Sequence, residues 1–258
     1  MTTPLVISEQ LKPGVIQLTL NRPEKRNALS VALLEAFLAA LDAAEADAGQ
    51  RVLILTGAGS VFCAGMDLAE AGNPAVAGRS GELIATMLRR VVESRLITIA
   101  VVQGAALAGG AGLMSACDFA YAEGSARLGY PEPRRGLIAA LVMTFLRRQL
   151  RERDARRLLL TGESVSGTEA AEMGLVSAAI GTELVMPTAL RTANEVMLGG
   201  PEAVVQTKKL LASLWPSPLT EDFTRAMRVH HDMRDSAEMR EGVAAFREKR
   251  KPKWVVEN

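Results

Sequence analysis

Residues 98–113 read TIAVVQGAALAGGAGL and contain the clearest structural signal in the chain. The first six residues, TIAVVQ, are mainly apolar and β-branched, which is typical of a strand. Residues 104–112 are all glycine or alanine except for Leu107, and an apolar pattern resumes at Leu113. This order predicts a strand, a glycine-rich turn and a helix, which is the repeating unit of an α/β fold.

The same alternation of strand and helix signals is present upstream of this stretch. Residues 15–20 form a β-branched run, and Ser30 is placed to cap a helix that continues to about Ala46. Residues 51–56 form a second strand that is apolar on both faces, as buried strands are. Residues 72–81 contain three glycines and a proline. We predict a mobile loop there, before the next helix.

Helical periodicity dominates the C-terminal part of the chain. Gly174 is placed to end a short helix that starts at Thr168, and residues 175–180 form the last predicted strand. Pro201 starts a further helix, and the WPSP sequence at 215–218 separates that helix from the last ones. The predicted regions are an α/β core, residues 1–200, and a C-terminal helical region, residues 201–258.

Charge and composition exclude several classes of function. The 258 residues include 30 Lys and Arg against 29 Asp and Glu, so no global field would hold a nucleic acid or an anionic membrane. The two cysteines, Cys63 and Cys117, can form neither a disulfide framework nor a four-thiolate zinc site, and we expect no bound metal. No apolar run approaches the ~20 residues of a membrane span, and the N-terminus does not resemble a signal peptide. We expect a cytoplasmic protein.

Histidine is equally scarce in this chain. The two histidines, His230 and His231, are adjacent in a charged C-terminal stretch. Neither a His-rich metal site nor a Ser-His-Asp triad is easily built from such a pair. Acid–base chemistry is therefore expected to depend on carboxylates.

Two glycine-containing turns follow the strands that are predicted to be buried. They are residues 62–68, FCAGMDL, and residues 104–112. Small residues let a ligand approach the main chain, and N–H groups at the start of a helix attract negative charge. One amide from each turn could converge on a single oxygen as an oxyanion hole. Close packing between strand and helix is the alternative explanation for these glycines.

A third candidate element is the sequence Tyr130-Pro131-Glu132-Pro133. Two prolines stiffen the main chain on both sides of Glu132, which suits a positioned acid or base. The alternative is an ordinary surface loop.

Taken together and in this order, these segments resemble the crotonase family, that is, the enoyl-CoA hydratase/isomerase superfamily. The resemblance implies an α/β fold, a spiral of ββα units with a C-terminal helical trimerisation region. It also implies assembly as a homotrimer or as a hexamer, a dimer of trimers. The motifs that carry it span nearly the whole chain: residues 21–29 (NRPEKRNAL), 62–68, 108–118 (AGGAGLMSACD), 160–176 and 241–252.

The resemblance implies that the substrate is an acyl thioester of coenzyme A. Members of the family hold the thioester oxygen with two main-chain N–H groups while it becomes an enolate. By motif position these catalytic groups belong to Met66 and Gly109. No cofactor is implied beyond the coenzyme A that the substrate itself carries.

Hydratases of the family typically carry two glutamates, and this chain departs from that pattern. Glu132 occupies the second position, whereas Gly112 stands at the first. A mechanism that uses two carboxylates to hold the attacking water is therefore in doubt. A mechanism that uses Glu132 alone remains open, either for hydration of a 2-enoyl-CoA or for isomerisation of a 3-enoyl-CoA to a 2-enoyl-CoA. The Arg-rich continuation, residues 133–138, resembles that of some hydratases, which favours hydration.

Three other acids are weaker candidates for the missing carboxylate. Asp67 and Glu70 follow the first oxyanion segment, but Asp67 is better placed to cap or orient that turn. Asp118 stands at a predicted strand start, where a structural role is expected.

The resemblance also assigns residues to the binding of coenzyme A and the acyl group. Lys25 and Arg26 match positions near the nucleotide, and the carbonyl of Ala64 would meet the adenine amino group. Phe246 and Lys249 match a pair that reaches in from a neighbouring subunit, although a solvated basic end is the alternative for this tail. The remaining implied contacts are Ala28, Asp67, Leu68 and Gly110.

An arginine-rich stretch, residues 134–157, raises a function of another class. It carries eight arginines against one glutamate and one aspartate, which would suit a non-catalytic member that binds coenzyme A or RNA. Binding of RNA usually adds aromatic side chains for base stacking, and only 4% of this chain is aromatic. We therefore expect neither a nucleic-acid partner nor a membrane partner.

Overall fold

The computed structural model describes residues 3–214, 219–234 and 236–253, so the predicted separator at 215–218 lies outside the described residues. These ranges contain nine strands. The strands are β1 (Val6–Lys12), β2 (Val15–Leu20), β3 (Val52–Gly57), β4 (Ile97–Val102), β5 (Ala105–Leu107), β6 (Phe119–Glu123), β7 (Arg127–Gly129), β8 (Ser164–Ser166) and β9 (Ala178–Ile180).

Eleven α-helices lie within the same described ranges, with short 3-10 turns at Pro23–Lys25 and Glu132–Arg135. The helices are α1 (Val31–Ala46), α2 (Leu68–Ala71), α3 (Pro74–Glu93), α4 (Gly109–Ala116), α5 (Ala140–Leu146), α6 (Glu152–Thr161), α7 (Gly167–Met173), α8 (Thr182–Leu198), α9 (Pro201–Ser213), α10 (Leu219–Arg234) and α11 (Ala237–Arg247).

Consecutive strands are divided between two sheets. The larger sheet has the order β1-β2-β3-β4-β6-β9, and the smaller has the order β5-β7-β8. All pairs in the larger sheet are parallel except β1 with β2. Strand β4 lies in the larger sheet, and β5, which follows it directly before α4, lies in the smaller sheet. Strands β6 and β7 are divided between the two sheets in the same way. The predicted mixed α/β architecture is confirmed, and its repeating unit is ββα.

Strands β3 and β4 are buried on both faces, as the apolar run at 51–56 predicted. On one face they contact the main core, to which α1, α3, α4 and α5 contribute. The other face is covered by α8, which packs Val185, Ala189 and Ala193 against the sheet. Burial of both faces fixes the carboxyl ends of these strands, from which the two glycine-containing turns emerge.

The predicted mobile loop at 72–81 is wrong, because helix α3 begins at Pro74. The Asn73 side chain caps this helix by accepting a hydrogen bond from the Ala75 amide at 3.1 Å. Proline suits the first helical turn, where its missing N–H has no partner to lose. Gly81 lies inside the helix against side chains of α10. Pro74 thus starts the helix, and Gly81 allows α10 to pack closely against it. Composition alone does not distinguish these roles from a loop.

The last predicted strand, residues 175–180, is shorter than expected. Only Ala178–Ile180 pairs with β6. Leu175 instead donates to the Ala170 carbonyl at 2.8 Å, which closes the end of α7 after Gly174. The short helix that was predicted to end at Gly174 is confirmed.

The C-terminal helices fold back over the chain. Helix α10 packs against α5, and α11 packs against the 3-10 turn Glu132–Arg135. No helix among the described residues is both long enough and apolar enough to span a membrane. The side of the molecule that carries Glu132 is thereby covered by the chain's own C-terminal region.

Candidate active site

The first glycine-containing turn, residues 62–68, runs alongside β5. The Leu107 amide donates to the Cys63 carbonyl at 3.0 Å, which fixes the turn to the strand. Gly65 has a φ of +93°, and a Cβ on it would lie 2.7 Å from the Leu107 carbonyl oxygen. Only glycine is compatible with both conditions. The turn therefore holds the next amide, that of Met66, close to the second glycine-rich turn.

The second turn leads into helix α4 through Ala108, whose φ of 51° and ψ of −125° are rare for a residue with a side chain. The Ala108 amide donates to the Gly129 carbonyl at 2.9 Å, which connects the turn to β7. Helix α4 begins at Gly109, so the Gly109 amide is a donor without an intrahelical partner at the positive end of the helix dipole. The neighbouring Gly110 is packed against the Cys63 backbone and leaves no room for a side chain.

The two predicted oxyanion donors lie near each other. A Cβ built on Gly109 would be 3.9 Å from the Met66 nitrogen. Neither amide donates a hydrogen bond to another described residue. Both residues line one mostly apolar cavity of about 70 Å³. Two such N–H groups at one cavity can bind an oxygen on which negative charge develops.

Glu132 lines the same cavity, and it stands in the 3-10 turn that follows β7. Its Oε2 atom is buried and has no hydrogen-bond partner among the described residues. Burial raises the pKa of Glu132 to about 7, although a backbone hydrogen bond and the charge of Arg135 act in the opposite direction. A carboxyl group that titrates near neutrality can both accept and return a proton.

Arg135 also lines the cavity, and its guanidinium stacks on the ring of Phe246 with 4.7 Å between Cζ and the ring centre. Burial lowers the pKa of Arg135, while the charge of Glu132 opposes that shift. Phe246 belongs to α11 of the same chain, whereas the resemblance implied that it reaches in from a neighbouring subunit. The contact with Arg135 is made within one chain, and the implied contribution of Phe246 and Lys249 to a neighbouring subunit stays a prediction. Lys249 is exposed beyond the end of α11 and does not line the cavity.

Glu132 is the only carboxylate among the described residues that line the cavity. At Gly112, a Cβ would lie 2.7 Å from the Val142 Cγ1 atom, so helix α5 fills the space that a side chain would need. The three weaker candidates have partners elsewhere: Asp67 pairs with Arg22 at 2.6 Å, Glu70 accepts from the Val31 amide at 2.7 Å, and Asp118 pairs with Lys208 at 2.7 Å.

Asp67 has a local role in the structure. Its side chain accepts from the Ala69 amide at 2.9 Å and so caps helix α2. Burial alone would raise the pKa of Asp67, but the hydrogen bonds from Arg22 and Ala69 outweigh it and the net shift is downward. Asp67 therefore orients the first turn, and both of its oxygens are already in use.

The predicted coenzyme A contacts separate into two groups. Lys25 and Arg26 are exposed, and the Arg26 carbonyl accepts from the Ala64 amide at 3.0 Å, so these residues and the neighbouring Ala28 lie along one edge of the site. The Ala64 carbonyl accepts no hydrogen bond from a described residue. Leu68 lines the cavity, whereas Gly110 lies behind the turn and does not.

His230 is a residue that sequence reasoning set aside and that the structure brings to the cavity. Its Nε2 atom is buried and has no hydrogen-bond partner among the described residues. Burial, with the charges of Arg234 and His231, lowers the pKa of His230 to about 4, so the ring is neutral at pH 7. Helical spacing from the buried Phe223 to His230 is the signal that could have found it, since residues seven apart share a face.

The arginine-rich stretch is not one continuous basic surface. Five of its eight arginines pair with carboxylates, namely Arg147, Arg148, Arg151, Arg156 and Arg157. Their partners Glu152 and Asp154 belong to the stretch itself, and Asp222, Glu163 and Glu169 lie outside it, so acids from other elements offset part of the local excess of charge. No group of His, Cys, Asp and Glu in the described part of the chain is arranged to hold a metal ion.

Two backbone amides and one buried carboxyl group around a single apolar cavity are an arrangement that can stabilise an oxyanion and transfer a proton, as enzymes of acyl chemistry require. The chain belongs to the enoyl-CoA hydratase/isomerase family, whose family model matches residues 10–257.

Individual proteins agree with this membership. A relative from Thermus thermophilus is 38% identical over 94% of this chain and 98% of its own length. The 2,3-dehydroadipyl-CoA hydratase of Escherichia coli is 31% identical over 96% of this chain and 97% of its own length. The crystal structure of an enoyl-CoA hydratase from Mycobacterium avium covers 98% of this chain and 100% of its own, with a TM-score of 0.86 and 34% identity. The predicted family and its fold are therefore confirmed.

Proposed function

We propose that this enzyme hydrates a 2-enoyl thioester of coenzyme A, with Glu132 as the single acid–base group. The observation that carries the proposal is the shared cavity, which exposes the Glu132 carboxyl and the amides of Met66 and Gly109 to one bound molecule. The names of relatives such as the Escherichia coli hydratase support the reaction class.

The proposed reaction needs no group beyond these three. Ionised Glu132 takes a proton from water while the water oxygen bonds to C3 of the enoyl group. The C2–C3 π electrons move onto the thioester oxygen, where the Met66 and Gly109 amides stabilise the enolate. Glu132 then returns the proton to C2, and the product is a 3-hydroxyacyl thioester. Loss of one such amide donor typically costs about 3 kcal/mol of transition-state stabilisation.

The nucleotide end of coenzyme A is assigned to the exposed edge of the site. Lys25 and Arg26 would meet its phosphates, and the Ala64 carbonyl has a free acceptor for the adenine amino group. No further cofactor takes part in the proposed reaction.

Double-bond isomerisation is the second candidate function. One observation favours it: helix α5 occupies the space at Gly112, so no second carboxylate is available to hold water. A single carboxylate suffices to move a proton between C4 and C2 of a 3-enoyl thioester.

The test is to measure loss of enoyl absorbance and to identify products over a panel of 2-enoyl-CoA thioesters. We expect a 3-hydroxyacyl product, and we expect Glu132→Gln to lower kcat by about 10²- to 10⁴-fold, the usual contribution of a positioned acid–base group. Glu172→Gln is the matched control, because Glu172 is an exposed glutamate on α7 outside the cavity.

Retention of full activity in Glu132→Gln would contradict the assigned role. Deuterium entry at C2 or C4 from heavy water, without a hydroxyacyl product, would instead establish the isomerase.

A further inference from the structure

Helices α3 and α10 meet at Gly81, beside the catalytic cavity. A Cβ built on Gly81 would lie 2.8 Å from Arg234 Nη1 and 3.0 Å from His230 Nε2. The missing side chain thus lets a guanidinium and an imidazole approach the same point on α3. His230 lines the catalytic cavity, and Arg234 is 8% exposed and lines the neighbouring one.

Two polar atoms at this contact have no partner. The Ser80 side chain is fully buried, and neither its Oγ nor His230 Nε2 forms a hydrogen bond with a described residue. Ser80 lies one helical turn before Ile84, which lines the cavity, so the two share a face of α3. An unpaired buried polar group costs about 1–3 kcal/mol, and His230 Nε2 lies at the wall of the cavity, where a ligand can supply its partner.

The charged side chains among the described residues that line the neighbouring cavity are all basic. The neighbouring cavity, of about 500 Å³, is lined by His231, Arg234, Arg240 and Arg247, and its described lining includes no carboxylate. The one acid of the catalytic cavity is Glu132, which lies in the 3-10 turn and is engaged in the proposed chemistry. The imidazole of His230 is neutral at pH 7 because burial and Arg234 lower its pKa to about 4, so it serves as a hydrogen-bond donor rather than as a cation.

We propose that Ser80, His230 and Arg234 form a subsite for a carboxylate at the far end of the acyl chain. A hydroxyl, an imidazole N–H and a guanidinium match the acceptors of a carboxylate, and arginine does so with two parallel bonds. The inference rests on the proposed function and narrows it: the preferred substrate is a 2-enoyl thioester with a second, free carboxyl group. Its thioester end lies at Met66 and Gly109, and its chain follows the Leu88 and Ile84 face of α3 towards Ser80.

Selectivity is the direct test. We compare kcat/KM for 2-enoyl-CoA thioesters with free terminal carboxyl groups and chains of five, six and eight carbons against the methyl ester of each. We expect the best free acid to exceed its ester by 10- to 100-fold. Ser80→Ala and His230→Phe are each expected to lower this ratio several-fold, chiefly through a higher KM for the acid.

Matched variants separate a subsite from a structural role. Arg228→Met changes an exposed arginine of α10 outside both cavities and is expected to leave the ratio unchanged. Arg234→Met is expected to abolish the preference. If Arg234→Met fails to fold, Ser80→Ala still tests the subsite, because removal of an unpaired buried hydroxyl does not destabilise the core.

A binding measurement keeps the inference independent of turnover. Calorimetry with saturated dicarboxylic acyl-CoA and its methyl ester is expected to show tighter binding of the acid, with the difference reduced in Ser80→Ala. Equal affinities, or a ratio that these variants do not change, would overturn the subsite even if hydration is observed. Absence of hydration for every thioester, with a preference for the acid in binding, would overturn the proposed function and leave the subsite standing.

Discussion

Burial at Glu132 sets the chemistry of the site at the scale of single residues. An exposed glutamate is ionised throughout the neutral range and is a weak base, whereas Glu132 has a pKa of about 7. Two backbone amides face the same cavity. Because these amides carry no titratable group, the pH response of the enzyme is expected to follow Glu132.

Activity should therefore rise with pH through neutrality. The proposed hydration needs ionised Glu132 in the free enzyme, so kcat/KM is expected to be low below pH 6 and to reach half of its plateau near pH 7. A pH–rate profile from 5 to 9 with a saturating and a limiting concentration of one enoyl-CoA measures this. A flat profile across pH 5.5–8 would rule out Glu132 as the base.

The same carboxyl group should make stability depend on pH. The folded-state pKa of Glu132 is raised from 4.5 to about 7, so its contribution to the free energy of unfolding is complete below pH 4.5 and is lost as pH rises through about 7. The loss amounts to about 3 kcal/mol in the free energy of unfolding. Glu132→Gln has no carboxyl group to titrate and should not show this loss. The stability of the variant relative to the wild type should therefore rise by up to that amount between pH 4.5 and pH 8. Denaturant unfolding at both pH values measures the change, and a constant difference would contradict it.

Helix contacts determine the shape of the cavity at the scale of elements. Helix α4 carries Gly112 against α5 and α3, where a side chain at Gly112 would meet Val142 and Leu88. Helix α3 likewise carries Gly81 against α10. Both glycines let helices approach closely at positions where the helix itself would favour alanine.

Gly112→Ala tests this contact. The added Cβ would lie 2.7 Å from Val142 Cγ1, so we expect a loss of about 1–3 kcal/mol in the free energy of unfolding, and Val142→Ala in the same chain should restore much of it. Gly78→Ala in α3 is the control, because nothing lies within 4 Å of its Cβ position. It should gain up to about 1 kcal/mol from helix propensity alone. Thermal and denaturant unfolding of the wild type and these three variants measures the differences, and an equal gain in stability in Gly112→Ala would contradict the packing argument.

Elements with local signals could be predicted from the sequence, and those that depend on distant contacts could not. The runs at 15–20 and 51–56 became β2 and β3, and Ser30 caps α1. The glycines at 65 and 109 were informative because each follows a strand. The first turns of α3 were assigned to a loop because Gly81 is explained only by side chains of α10. His230 and the contact between Arg135 and Phe246 were missed for the same reason, since both arise when the C-terminal helices fold back.

Several exposed leucines close to one another in sequence bear on assembly, at the scale of the whole molecule. Leu198, Leu210, Leu211 and Leu214 are each more than half exposed, at the end of α8 and along α9. Exposed apolar clusters of this kind indicate a protein–protein contact. They lie outside the catalytic cavity, so an assembly through them would leave that cavity accessible.

Assembly as a homotrimer, or as a hexamer of two trimers, is our prediction for this surface. Light scattering coupled to size exclusion should give three or six times the chain mass. Replacement of Leu210 and Leu211 by glutamate should shift the enzyme towards monomers, because charge is costly in an apolar interface. Leu160→Glu on α6, another exposed leucine away from this surface, is the control. A monomeric wild type at micromolar concentration would contradict the prediction.

The backbone pairing of the two amide-bearing turns has a consequence for how such an enzyme can diversify. Cys63 of the first turn forms a backbone bridge with Ala106 of β5, and Met66 forms one with Leu29, so the spacing of the turns is inherited from backbone pairing that side-chain replacement barely alters. Helices α3, α5 and α10 line much of the remaining cavity, and they contact that framework through packed side chains. On the proposed function, reaction type and substrate range would thus be encoded in separable layers. Exchange of helix faces should redirect the enzyme to new acyl groups without rebuilding its chemistry.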